Sequence, residues 1–259
     1  MMRNQYTLEQ TFVQEEVSYA LLLEKCKSQN EIKYFLGTLF HPKFTFSLYS
    51  LFVKKDVNEA KSHFYSIGRL FEFSLTKPAD SHFPNYYYLG CGLLSDNQAL
   101  ISRLSYLYHP DYEYLFRNGE GFVFQSIQFI IKNDMDSLQK MVERLDSKML
   151  PLKKWEFARW DREIFVGFLT NDKIKIENTL QEMLVPKIHK SRTKHQWYSD
   201  YISFPALGYA KLAWIKGMEV EVNNPLIPKE LLPVQPLAAY PEYEFILEAE
   251  AQAKTDHVK

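Results

Sequence analysis

Three short stretches of this sequence hold residues whose types and spacing could do chemistry. His109-Pro110-Asp111-Tyr112-Glu113 sets an imidazole beside two carboxylates, a donor set that suits a divalent metal. The same residues, with histidine and aspartate flanking a proline, also make an ordinary helix-to-helix turn. Trp160-Asp161-Arg162-Glu163 brings two carboxylates next to an arginine, the material of general acid–base catalysis. Acids at a helix start and a local ion pair explain those residues without a substrate. The third stretch, Lys187 to His195, carries four permanent positive charges and two histidines, the one dense single-sign patch on the chain, and Trp197 and Tyr198 follow at once. One reading is a partner-binding site of Lys187, His189, Lys190, Arg192, Lys194, His195, Trp197 and Tyr198, with rings suited to an interface. The other is a solvated loop past a helix C-terminus, where positive charge is favourable in any case.

No phosphate loop, G-x-G-x-x-G, G-x-S-x-G or H-E-x-x-H motif occurs, and Gly119-Glu120-Gly121 is too short to cradle phosphates. No catalytic, cofactor-binding or metal-ligating residue is therefore assigned. A helical enzyme would have to be built around Asp111, Glu113, Asp161, Glu163 or the histidines. Basic and acidic residues number 31 and 32, so no global field gathers the protein on nucleic acid or anionic lipid. Cys26 and Cys91 stand far apart in no ligand spacing, which fits a reducing compartment better than a disulfide framework. The start of the chain reaches Glu9, Glu15 and Glu16 without a signal-peptide stretch, and no run approaches a bilayer span. A cytoplasmic protein without membrane or nucleic-acid partners is expected.

The elements that position these residues announce themselves through an internal repeat. Asp56, Asp96, Asp134 and Asp172 recur 40, 38 and 38 residues apart, each between two apolar-periodic runs. Seven residues before them stand Tyr49, Leu89, Ile127 and Phe165; three before, Val53, Leu93, Ile131 and Leu169. Four residues after stand Ala60, Leu100, Leu138 and Ile176; eight after, Phe64, Leu104, Val142 and Leu180; eleven after, Ile67, Leu107, Leu145 and Met183. A column of four is wholly apolar by chance about one time in twenty, so five such columns are a signal. Steps of three and four residues place each set on one helix face, and an aspartate at the break suits an N-cap.

The fold expected is all-α: antiparallel helix pairs stacked as a right-handed, α-α superhelix-like array, closed by an extended proline-rich C-terminal cap. In one domain, 1–41 holds N-terminal helices that break at His41-Pro42, and 42–186 holds four helix pairs. A basic loop and a last helix, Tyr201 to Lys216, fill 187–222. An extended tail occupies 223–259, lying across the last helices and frayed beyond about Ala249.

A resemblance sharpens the functional reading. The run from Tyr201 through Phe204-Pro205-Ala206-Leu207-Gly208-Tyr209 to Trp214 continues through Gly217-Met218-Glu219-Val220-Glu221-Val222 to Pro225-Leu226-Ile227-Pro228 and Leu231-Leu232-Pro233. Together with Trp160 to Phe168 and the Lys187 to His195 stretch, it resembles the immunity protein 49 family over roughly residues 155 to 235. The resemblance implies a mostly helical, non-enzymatic protein that needs no cofactor. It implies that the protein binds and neutralises a cognate toxin, the C-terminal domain of a polymorphic or secreted effector, inside the producing bacterium. The alternative left by the residues alone is a helical-repeat adaptor that binds a partner from the cell's own machinery.

Overall fold

The structure, a computed structural model, describes residues 5–26, 32–75, 86–110, 113, 121–193 and 197–256. All regular elements among them are helical. They are α1 (Gln5–Cys26), α2 (Ile32–Tyr49), α3 (Val57–Ser74), α4 (Tyr86–Leu94), α5 (Gln98–Leu104), α6 (Phe122–Lys132), α7 (Met135–Arg144), α8 (Arg159–Leu169), α9 (Lys173–Met183), α10 (Pro186–Thr193), α11 (Phe204–Ile215) and α12 (Glu244–Asp256).

The repeat is built on four two-residue corners. Lys55, Asp96, Asn133 and Asn171 take left-handed backbone angles, φ 59°, 60°, 59° and 51°, and end α2, α4, α6 and α8. The next residue in each case caps the following helix: Asp56 accepts from the Glu59 amide at 2.9 Å, Asn97 from Leu100 at 2.8 Å, Asp134 from Ser137 at 3.1 Å and Asp172 from Lys175 at 2.9 Å. Three corners are closed further by a bond back into the preceding helical segment, Asp56 N–H to Ser50 O at 2.9 Å, Asp134 N–H to Phe129 O at 2.9 Å and Asp172 N–H to Gly167 O at 2.8 Å. The aspartate register thus holds at three corners. At the second it is displaced by one: Asn97 takes the cap and Asp96 the left-handed position.

The apolar columns point inward. Ala60, Leu100, Leu138 and Ile176 have no exposed surface, nor do Phe64, Leu104 and Leu180. Each fully buried Phe or Leu contributes roughly 1.5–3 kcal/mol. Successive helices pack on one another, and α11 then returns to lie against α4, a closure that an open array lacks. Phe204 to Ala213 are buried all round, as a central helix requires. Gly217, at φ 80°, ends α11, and Met218 N–H returns to Ala213 O.

Three boundaries differ from the sequence expectation. α2 runs through His41-Pro42 without a break and continues as a π turn, Ser50–Lys54. Pro42 removes one helix hydrogen bond, but Leu39, Phe40, Phe44 and Leu48 are buried on either side of it and hold the helix together. The basic segment expected as a loop is helix α10, with Pro186 at its first position, where a missing N–H is harmless. The segment expected to fray belongs to α12, a run rich in Glu and Ala anchored by buried Phe245 and Ile246. No described helix is long and apolar enough to cross a membrane.

Candidate functional site

The helical period of α10 sorts the basic segment into two groups. Lys187 and Lys190 are exposed. His189 faces inward, 6% exposed, with Nε2 2.8 Å from the Ser199 carbonyl. Arg192 also turns in, and its guanidinium grips both oxygens of buried Asp161 at 2.6 and 3.1 Å while donating to the Phe157 carbonyl at 2.9 Å. Tyr209 on α11 donates to the same carboxylate at 2.7 Å. Two stretches singled out in the sequence, the basic segment and Trp160 to Glu163, are therefore joined in one buried ion pair. Lys194 and His195 lie outside the described residues.

Trp197 and Tyr198 form a 3-10 turn, Trp197–Asp200, and are half-buried. Tyr198 stacks on Phe44, with centroids 5.8 Å apart, and meets Phe204 edge-on at 5.2 Å; Trp197 faces His41 at 5.6 Å. Their rings join α2 to α11.

The remaining carboxylates of the second stretch are occupied as well. Arg162 holds Asp146 through two bonds, 3.0 and 2.9 Å, and reaches Glu163 at 2.7 Å. These bonds, with Asp146 foremost, raise the guanidinium pKa. Burial works to raise Glu163, but its bonds to Lys175 and Arg162 outweigh it and hold the carboxyl below its ordinary value. This is an ion-pair ladder from the π turn that follows α7, Leu145–Met149, across α8 to α9, with both catalytic-type acids already satisfied. Of the first stretch, Asp111 and Tyr112 lie outside the described residues, as do Gly119 and Glu120; Glu113 accepts from Tyr108 at 3.5 Å. Among the described residues no group of three or more His, Cys, Asp or Glu could hold a metal ion. Cys26 and Cys91 are buried free thiols, whose pKa burial pushes up.

One polar centre escaped the sequence reading. Asp96, released from capping, is wholly buried between two lysines that are themselves buried. Lys61 on α3 lies 2.8 Å from one oxygen and Lys211 on α11 2.5 Å from the other. Lys211 also donates to the carbonyls of Leu231, Leu232 and Pro233, and Lys61 to that of Gln235, while the Gln235 amide returns to Asp96 at 3.2 Å. Burial pushes the Lys211 ammonium down to about 8, opposed by Asp96. The centre ties α3, the α4–α5 corner and α11 to the chain that follows α11. Farther along, Tyr240 donates to Ser95 O at 2.8 Å, and Glu242 and Glu250 both receive Arg69. The signal available beforehand was small: two candidate caps, Asp96 and Asn97, stand side by side, so one was free for another use.

The second cluster outside the sequence reading is Lys43, whose ammonium lies 4.6 Å from the Tyr19 ring centre, 5.7 Å from Phe46 and 6.0 Å from Tyr243. Tyr19 and Tyr243 are joined by their hydroxyls at 2.9 Å. Burial lowers the Lys43 pKa to about 8. The ring faces offset part of that cost.

No curated protein and no solved structure matches the chain. A family does: residues 113–231, just under half of the 259, match the model described as immunity protein 49. The matched stretch contains Asp161, Arg192, Tyr209 and Lys211, the residues that order its interior. Immunity protein 49 is thus the family to which this part of the chain is matched, the one that its C-terminal motifs resemble.

Proposed function

We propose that this protein is an immunity protein that binds a toxin in the cytoplasm of the cell producing it and blocks that toxin by occupying a surface it needs. The observation that carries the reading is the immunity protein 49 match over residues 113–231. Because a few free toxin molecules suffice for harm, the complex has to be tight; nanomolar affinity corresponds to about 12 kcal/mol.

The test is growth of a bacterial host that expresses the toxin domain encoded beside this gene, with and without this protein. Rescue together with a co-purifying complex is the expected result. Toxicity that persists, with no complex formed, would overturn the reading and favour an adaptor that serves another partner.

A further inference from the structure

Around the outer end of α10 the structure assembles a surface that the basic segment alone does not define. A 3-10 turn, Lys153–Ala158, lies against it: the Phe157 carbonyl takes a hydrogen bond from Arg192, and Arg192 is locked to Asp161 on α8. At the start of α8, Trp160 donates to Glu182 at the end of α9 at 3.2 Å, and Arg159 lies over the Trp160 ring at 4.0 Å. The turn, the start of α8 and the α9–α10 corner therefore form one fixed platform.

Its outward side chains are of two kinds. Lys153, Lys154, Arg159, Lys187 and Lys190 are exposed cations. Among them stand Leu152, Phe157 and Val185, 49%, 45% and 47% exposed. Among the described residues of the turn, the start of α8 and the α9–α10 corner, the exposed acids are Glu156 and Glu182, and each already has a use: Glu182 receives Trp160, and Glu156 faces Arg159 at 4.0 Å.

We propose that this platform is the docking surface for an acidic face of the toxin, with Phe157 and Val185 as the apolar contacts and the lysines as the ring around them. The proposal rests on the immunity reading and adds to it the place of contact and the charge of the partner. Charge complementarity selects an acidic occupant, because five cations face only two engaged acids. The apolar contacts favour a protein over a nucleic acid: of the three only Phe157 offers a ring for a base to stack on, Leu152 and Val185 offer none, and the chain as a whole carries a charge of −1. His189 and Arg192 act as positioning residues, since their polar groups face inward.

The experiment measures the affinity of the full-length protein for the purified toxin domain encoded by the adjacent gene, for the parent and for a Lys154→Glu, Lys190→Glu double variant. Expected are a loss of about a hundredfold in affinity for the double variant and an unchanged melting temperature. A control reversal on α1, Glu16→Lys, should leave affinity within about twofold. Parent binding that the double variant retains overturns the platform and leaves the immunity reading standing. A parent that neither binds nor protects overturns both. Salt-sensitive binding of the parent to a random-sequence duplex, lost in the double variant while toxin binding persists, assigns the platform to nucleic acid and overturns the proposal.

Discussion

Two aspartates that look equivalent along the chain do different work. Asp134 is a half-buried cap, and replacing it by alanine frees one helix-end amide that water can reach, a small loss. Asp96 is the single carboxylate between Lys61 and Lys211, all three buried. Asp96→Ala leaves two buried ammonium groups facing each other, and breaking such a centre costs about 3–5 kcal/mol. Chemical denaturation of the two variants should therefore separate them by several-fold in lost stability; equal losses would show that Asp96 is only another cap. His63 makes a second residue-scale prediction. Burial first and the Lys43 charge second push its imidazole down to about 3, with Glu59 opposing and Lys54 adding to the effect. Unfolded, it takes a proton near 6.5, so between about 3 and 6.5 the unfolded chain binds more protons and acidification destabilises the fold. At pH 4.5 this amounts to about 3 kcal/mol. His63→Gln should flatten the fall in urea midpoint between pH 6.5 and 4.5, whereas an unchanged slope would place the acid sensitivity elsewhere.

At the scale of elements, the glycines show where helices come closest. A Cβ on Gly68 would stand 3.1 Å from the Gly92 backbone and 2.9 Å from Leu100, so α3 and α4 would have to part. On Gly208 it would meet Gly90 on α4 at 3.8 Å, an ordinary contact. Gly68→Ala should cost about 1–3 kcal/mol. Gly208→Ala should be neutral or gain up to about 1 kcal/mol through helix propensity. Thermal melts of the pair decide this, and a destabilised Gly208→Ala would mean that α4 and α11 are closer than described. The helix faces were legible in the sequence because a buried stripe repeats every three to four residues whatever it packs against. Three of the four caps were legible for the same local reason. The shift at Asp96 and Asn97 was not, since both residue types cap helices and the choice is made by Lys211, far along the chain. Pro42 misled because local chemistry opposes a helix there and only burial of its flanks restores it. In the basic segment Lys187 and Lys190 are exposed, as charge favours, but composition could not show that His189 and Arg192 turn inward or that the Phe157 carbonyl meets Arg192.

For the whole molecule, the decisive fact is that the two halves share their polar centre. Residues 113–231 contain Lys211 but not Asp96, Lys61, or the Leu232 and Pro233 carbonyls that Lys211 binds. They also lack α4, on which α11 lies. Expressed alone, this stretch should give no cooperative melt, while the full chain melts in one transition; a cooperative melt of the fragment would make it an independent domain. Time enters here as well. Lys61 must wait for Gln235, 174 residues later, and Tyr65 for Glu242, 177 later. At ribosomal rates of about 5–20 residues per second, that interval is on the order of ten seconds or more. Throughout it the nascent chain holds Asp96 and Lys61 without the segment that shields them. If the proposed immunity role holds, protection against a toxin made at the same moment would begin only once Gln235 and Glu242 have been made and have docked, so a cell would be safest when this protein is made first.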